Sequence, residues 1–267
     1  MNKPAIITPY PLQRLQSLTR ARLALGRAGV SLPTREVLRF GTAHAQARDA
    51  VHQALDVEGL QQELRASGFK PLHVHSQAPD RVTYLRRPDW GRSLAPASAD
   101  TLGAIAPQAW PRPPALAIVV ADGLSSLATR SHAQPLLQAL LPYFPDLREM
   151  PVVIATQARV ALGDEIGHLL RAEHVVVMIG ERPGLSSPDS LGLYLTAAPR
   201  PGLTDAYRNC ISNVRPEGLN YPEAARKLAF LIAGARRLGR TGVDLKDDSD
   251  APALAADTPE TPLLAST

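Results

Sequence analysis

The chain has 267 residues, of which 45% are hydrophobic and 20% are charged, and its formal net charge is +4. This composition is typical of a globular protein, and no apolar run approaches the roughly 20 residues that a membrane span requires. A single cysteine excludes an internal disulfide, and the first residues lack the apolar core and cleavage site of a secretory signal. We therefore expect a cytoplasmic protein that does not associate with a membrane.

The positive charge is concentrated in the first part of the chain. Residues 1–112 carry 15 Lys and Arg against 8 Asp and Glu, whereas the remainder carries 14 against 17. The arginines lie within helical patterns and are not interleaved with aromatic residues, which make up only 4% of the chain. This pattern favours a protein partner with an acidic surface over nucleic acid.

Residues 1–112 are predicted to form a mainly helical region. Apolar residues recur at helical spacing over residues 11–27 and again over 33–55, which predicts two amphipathic helices. Shorter helices are expected over 57–66 and 98–106. A cluster of prolines before residue 115 then predicts a domain boundary.

Residues 113–246 are predicted to form an α/β domain, because apolar strand patterns alternate with helical ones in a way typical of a parallel sheet flanked by helices. Right-handed crossovers would place the turns after the strands along one carboxyl edge of the sheet, where such folds bind ligands. Residues 247–267 carry five acidic and no basic residues, which predicts a disordered tail. The predicted strands are 115–121, 151–156, 174–179 and a further candidate at 191–197, and the predicted helices are 124–141, 161–171 and one that begins at Tyr221.

The turn after the third predicted strand concentrates polar groups. The Val-rich run from His174 to Ile179 ends in Gly180-Glu181-Arg182-Pro183-Gly184. This places a carboxylate and a guanidinium at the carboxyl edge of the sheet. The pattern favours a functional loop, with a charged surface turn as the alternative.

The turn after the first predicted strand, Asp122-Gly123 followed by Ser125, is similar to the phosphate-binding entry of a nucleotide-binding βα unit. It has one glycine where a dinucleotide site has three, and the chain contains no G-x-x-x-x-G-K-[ST] motif. A non-catalytic nucleotide-binding α/β module therefore stays open as an alternative function.

Other reactive residue types give weaker indications. His73 and His75 have no third ligand within reach in the sequence, so no metal site is predicted. Cys210 lies in a predicted loop before the last helix, and a lone cysteine is typically a small packing residue. No serine or cysteine has an assigned base, so no catalytic residue is predicted in this chain.

Six short segments that follow one another along the chain point to a known family. Together they resemble the small (light) subunit of ethanolamine ammonia-lyase, over about Leu18 to Asp244. The segments are Arg20-Ala21-Arg22 with Gly26-Arg27-Ala28-Gly29, His44-Ala45-Gln46-Ala47-Arg48-Asp49-Ala50, Arg87-Pro88-Asp89, Val120-Ala121-Asp122-Gly123-Leu124-Ser125, Gly180-Glu181-Arg182-Pro183-Gly184 and Cys210-Ile211-Ser212-Asn213.

The resemblance implies a subunit of an adenosylcobalamin-dependent lyase that converts ethanolamine to acetaldehyde and ammonia by radical chemistry. It implies a Rossmann-like domain over 113–246 that covers the cobalamin, and an N-terminal region that contacts the large, substrate-binding subunit. The cobalamin contacts of the family fall on Val160, Glu181 and Cys210. The implied location is the cytoplasm, with packaging in a bacterial microcompartment as the alternative.

Overall fold

Strands and helices alternate through most of the chain and assemble around one six-stranded sheet. The computed structural model describes residues 7, 12–19 and 21–250. The strands are β1 Pro71–His75, β2 Ala117–Ala121, β3 Val152–Thr156, β4 His174–Gly180, β5 Leu191–Ala197 and β6 Arg208–Val214. The α-helices are α1 Thr34–His52, α2 Val57–Ala66, α3 Arg81–Arg86, α4 Pro96–Ala109, α5 Ser126–Leu140, α6 Leu162–Leu169 and α7 Tyr221–Leu238.

The strands of the sheet follow the order β1-β3-β2-β4-β5-β6. The first four are parallel, whereas β5 pairs antiparallel with β4 and β6 pairs antiparallel with β5. The predicted α/β class is confirmed, but the sheet is mixed and not wholly parallel. The reason is the short loop 181–190 between β4 and β5, since a parallel pair needs a longer crossover.

The central strands β2, β3 and β4 are buried along their whole length. Helices α5 and α7 cover one face of the sheet, where Leu136 and Leu228 join the core, and α4 and α6 cover the other, with Leu102 and Ile166. Strands covered on both faces favour continuous runs of Val and Ile. These runs made all three strands recognisable in the sequence.

The edge strand β6 differs from the sequence-based expectation. The predicted loop around Cys210 is wrong, because this residue lies within the strand Arg208–Val214. Only Arg208, Ile211 and Val214 are buried in it, and the remaining residues are polar or partly exposed. The strand therefore lacks the strict apolar alternation by which a half-buried strand is recognised.

The N-terminal region is mainly helical, as predicted, and α1, α2 and α4 match predicted helices. The helix predicted over 11–27 is wrong: the described residues there form a 3-10 helix, Gln13–Ser17, followed by irregular chain in which Ala24 has a positive φ of 52°. Leu18 is 80% exposed, so the leucines of this segment do not pack as one helix face. The same region also supplies β1, which pairs with β3.

The described chain ends against α7. Asp247 lies 3.4 Å from Lys227 Nζ, and Asp250 lies 2.6 Å from Arg226. The rest of the predicted tail, 251–267, lies outside the described residues. Within the described part of the chain, no helix combines the length and the apolar character that a membrane crossing requires.

Candidate functional site

The turns after β2, β3 and β4 meet at the carboxyl edge of the sheet. Gly123, after β2, packs against Gly180 at the end of β4, and Leu124 N donates to Gly180 O over 2.9 Å. A Cβ on Gly123 would lie 2.2 Å from that carbonyl oxygen, and Gly123 has a φ of +57°. Glycine is therefore required at this close approach. The predicted placement of these turns along one edge is confirmed.

Asp122 ties the first of these turns to the second. Its buried carboxylate accepts hydrogen bonds from the backbone N–H groups of Gln157 and Ala158, over 2.8 and 2.9 Å. Arg81 Nη1 lies 3.5 Å from the same carboxylate and donates to Gly123 O over 2.8 Å. Burial raises the pKa of Asp122, while the N–H groups and Arg81 oppose that rise. Asp122 therefore has a structural role, in which it connects the turns after β2 and β3.

The serines at the N-terminus of α5 are also engaged in hydrogen bonds within the protein. Ser125 Oγ accepts from Ala128 N and donates to Pro188 O over 2.8 Å, and Ser126 Oγ donates to Gln53 O over 2.7 Å. Both serines are buried. A phosphate at this helix terminus would have to displace these contacts, so the geometry does not favour the nucleotide-binding alternative.

Two adjoining pockets form a groove along the carboxyl edge, here called the edge groove. One has a volume of about 470 Å³ and the other about 620 Å³. Their shared wall consists of Arg159, Val160 and Tyr194. Glu181 lines the smaller pocket together with Val160. Two of the three residues predicted to contact a cofactor therefore lie in one cavity.

Glu181 is held in a fixed orientation at the end of β4. Its Oε2 accepts a hydrogen bond from Ser190 Oγ and another, of 3.3 Å, from Asn213 N. Its backbone N–H donates to Ser190 O over 2.8 Å. Among the described residues, none donates a hydrogen bond to Oε1. The half-buried carboxylate thus keeps one acceptor oxygen available.

A polar network fixes the loop that carries Ser190. Asp189 lies 3.4 Å from His132 Nε2 and 3.5 Å from Arg215 Nη1. His132 Nδ1 is in turn 2.8 Å from the hydroxyl of Tyr221. His132 and Arg215 are both buried. The loop is therefore pinned to α5 and to the start of α7.

Cys210 is exposed on β6, directly opposite Tyr194 of β5. Its Sγ lies 3.3 Å from Ser212 Oγ. Burial raises the pKa of Tyr194, and the neighbouring Cys210 and Glu181 raise it further. Tyr194 thus connects Cys210 to the edge groove. Sequence reasoning missed this tyrosine, although it is the only aromatic residue in the strand Leu191–Ala197.

Arg159 was also missed by sequence reasoning. Its guanidinium lies over the ring of Tyr84, with Cζ 4.3 Å from the ring centroid, and its backbone N–H donates to Gly91 O over 2.8 Å. Its Nε is buried without a hydrogen-bond partner among the described residues, as is Oε1 of Gln157. The available signal was its position directly before Val160.

The fold and the edge groove define a class: an α/β protein with a groove at the carboxyl ends of its strands, the usual ligand position in this architecture. The family model for the ethanolamine ammonia-lyase light chain (EutC) matches residues 9–246. The chain belongs to this family.

Close relatives support the same assignment. The chain is 54% identical to the ethanolamine ammonia-lyase small subunit of Ralstonia nicotianae over 95% of this chain and 94% of that protein. It is 55% identical to the small subunit of Azotobacter vinelandii over 91% and 90% of the two chains. It is 54% identical to the small subunit of Pseudomonas aeruginosa strain UCBPP-PA14 over 94% of this chain and 92% of that protein.

Proposed function

We propose that this chain is the small subunit of an adenosylcobalamin-dependent ethanolamine ammonia-lyase, and that its edge groove covers the cobalamin at the interface with the large subunit. The observation that carries the proposal is that Val160 and Glu181 line one pocket together with Tyr194, the residue that Cys210 faces across the β5–β6 pair. In this reaction adenosylcobalamin supplies radical chemistry through homolysis of its cobalt–carbon bond.

The groups of the edge groove fit this cofactor. The rim of a corrin ring carries neutral amides, whose N–H groups need acceptors, and its faces are apolar. Glu181 offers the carboxylate oxygen Oε1, to which no described residue donates a hydrogen bond. Val160 and Tyr194 supply apolar surface in the shared wall of the groove.

Each residue has a separate task in this proposal. Glu181 accepts an amide N–H of the cofactor, and Ser190 and Asn213 keep that carboxylate turned toward the groove. Val160 packs against the ligand. Cys210 contributes a small exposed side chain beside Tyr194, a role that requires no thiolate. The chain orients the cofactor and excludes water, while the substrate is bound by the large subunit.

The N-terminal region is proposed to contact the large subunit. Val30 is 101% exposed, and Leu38 and Phe40 on α1 are also exposed. Exposed apolar residues concentrated in one region are typical of a protein interface. Arg35 and Arg39 extend from the same helix, so the partner surface is expected to combine apolar residues with carboxylates.

Reconstitution from separately purified subunits tests the proposal. Ammonia release from ethanolamine is expected only when this chain, the large subunit and adenosylcobalamin are all present, and omission of each component provides the control. The reconstituted complex should also retain cobalamin during gel filtration, as seen in its absorbance spectrum. Full activity of the large subunit without this chain would contradict the proposal.

A further inference from the structure

Arg159 is a cation in the shared wall of the edge groove, and among the described residues it has no anionic partner. It lines both pockets, and no carboxylate of the described residues lies within ion-pair distance of it. Its Nε is buried and makes no hydrogen bond within the described chain. A buried donor without a partner costs free energy, which a ligand with a suitable acceptor would recover.

The carboxylates of the larger pocket and its buried arginine already have partners. Arg208, in the larger pocket, forms a buried bidentate ion pair with Asp164, at 2.6 and 2.9 Å. Asp205 accepts from Arg208 Nε over 3.2 Å. Glu165 accepts from Leu94 N over 2.8 Å. These contacts leave Arg159 as the fixed charge of the shared wall that is free to bind an anion.

The position of Arg159 is set before any ligand arrives. Its guanidinium stacks on Tyr84, Nη2 lies 3.5 Å from Tyr84 O, and its backbone is held by Gly91 O. Tyr84 is itself fixed, because its hydroxyl donates to Ala158 O over 3.0 Å. A planar guanidinium held in this way suits bidentate binding of phosphate oxygens and loses little side-chain entropy on binding.

We propose that Arg159 binds the phosphodiester of the cobalamin, the anionic group that links the nucleotide of the cofactor to its corrin ring. This inference rests on the proposed function, since it names a group of the same cofactor. It assigns the hydrogen-bond acceptors of the groove, such as Glu181, to the neutral amides of the cofactor, and it assigns Arg159 to the phosphate. Arg159 thereby becomes a determinant of which corrinoid the complex accepts.

The test compares two ligands and two variants of the reconstituted complex. Adenosylcobinamide lacks the phosphodiester and the nucleotide, so it reports on corrin contacts alone. Arg159→Gln is expected to lower the affinity for adenosylcobalamin about 10-fold or more and to leave the affinity for adenosylcobinamide unchanged. Equilibrium dialysis gives both dissociation constants without relying on turnover.

Arg237→Gln is the matched control. Arg237 lies on α7 and is not among the residues that line the two pockets, and its side chain is exposed and makes no ion pair with the described residues. The Arg237→Gln complex should bind both ligands as the wild type does. Arg159→Lys, which keeps the charge but not the planar fork, should recover part of the lost affinity for adenosylcobalamin.

Several results would overturn the inference. These are an unchanged affinity of Arg159→Gln for adenosylcobalamin, an equal loss of affinity of that variant for both ligands, and a loss of adenosylcobalamin affinity in Arg237→Gln as large as that in Arg159→Gln. In each of these cases the wild-type complex still binds adenosylcobalamin, so the proposed function stands. If the wild-type complex binds neither corrinoid, both the proposed function and this inference are wrong.

Discussion

The two carboxylate oxygens of Glu181 have different surroundings. Oε2 is used by Ser190 and Asn213, whereas Oε1 meets no donor among the described residues. We expect Glu181→Ala to weaken cobalamin binding by the reconstituted complex by about 1.5–3 kcal/mol, the usual value of a hydrogen bond to a charged group. Equilibrium dialysis measures this change.

Stability provides the control for this substitution. Glu181 is only half-buried, so the midpoint of thermal unfolding of Glu181→Ala should stay close to that of the wild type. Glu58→Ala, at an exposed position on α2, should alter neither cobalamin affinity nor stability. If Glu181→Ala bound cobalamin with wild-type affinity, Glu181 would not be a cofactor contact.

Ser190 is expected to act on the cofactor only through Glu181. Its hydroxyl orients the carboxylate, so Ser190→Ala should weaken cobalamin binding several-fold in the wild-type background. In the Glu181→Ala background the same substitution should have no effect, because there is no carboxylate left to orient. This double-mutant cycle separates positioning from a general loss of structure, since equal effects in both backgrounds indicate independent roles.

At the level of the secondary structure, the turns after β2 and β4 pack so closely that Gly123 should not tolerate a side chain. Gly123→Ala would place a methyl group against Gly180 O and strain a positive φ, so the free energy of unfolding should fall by more than about 1 kcal/mol. Gly103, within α4, has open space around it. Gly103→Ala should therefore raise the free energy of unfolding by about 0.5–1 kcal/mol.

Chemical denaturation of the two variants measures both changes. The comparison is informative because the chemical substitution is the same and only the surroundings differ. Equal effects of the two substitutions, or a stabilised Gly123→Ala variant, would contradict the observed contact between the β2 and β4 turns.

Strand β4 also carries a pH-dependent contribution at its start. His174 is buried, and burial lowers its pKa below the usual 6.5. Below pH 6.5 the unfolded chain therefore binds a proton that the folded chain does not, and the free energy of unfolding falls as the pH decreases. His73 on β1 has a lowered pKa for the same reason and adds a contribution of the same sign.

Denaturation curves at a series of pH values below neutrality test this assignment. The free energy of unfolding of His174→Gln should depend less steeply on pH than that of the wild type, and His73 should account for part of the remaining slope. His44 is exposed on α1, so His44→Gln serves as the control and should leave the pH dependence of the free energy of unfolding as in the wild type. An unaltered slope in His174→Gln would show that this histidine is not the titrating group.

The sequence correctly predicted the strands whose composition directly reflects their burial. Strands β2, β3 and β4 are continuous Val and Ile runs because both faces are covered. Strand β6 was missed because its polar residues face outward or bond to other segments, as Asn209 does to Gly242 O and Leu245 O. The leucines over 11–27 show the converse: their helical spacing produced only the short 3-10 helix Gln13–Ser17, and Leu18 stays exposed among the described residues.

At the scale of the whole molecule, the site depends on contacts between distant parts of the chain. Glu181 could be singled out because it follows a recognisable strand. Arg159 could not, because its role depends on the ring of Tyr84 and the carbonyl of Gly91, both far away in the sequence. Tyr194 likewise acquires its position from the antiparallel pairing of β5 with β4 and β6. Such pairings are not visible in local periodicity.

The exposed apolar residues of the N-terminal region give a prediction about assembly. Val30 and Val243 are both valines with high exposure, 101% and 77%, but only Val30 lies in the region proposed to contact the large subunit. Placing a carboxylate in an apolar interface removes hydrophobic burial and adds a desolvation cost. Val30→Asp should therefore weaken association with the large subunit at least about 10-fold, and Val243→Asp should not.

Sedimentation velocity of the mixed subunits, at several concentrations, measures this association. The basic residues beside Val30, such as Arg27 and Arg35, predict in addition that raising the salt concentration weakens the wild-type complex. Unchanged association of Val30→Asp, or an equal loss with Val243→Asp, would place the interface elsewhere. A selective loss with Val30→Asp would explain why a chain with a well-formed core exposes so many apolar side chains before its first sheet strand: they become buried only when the large subunit is present.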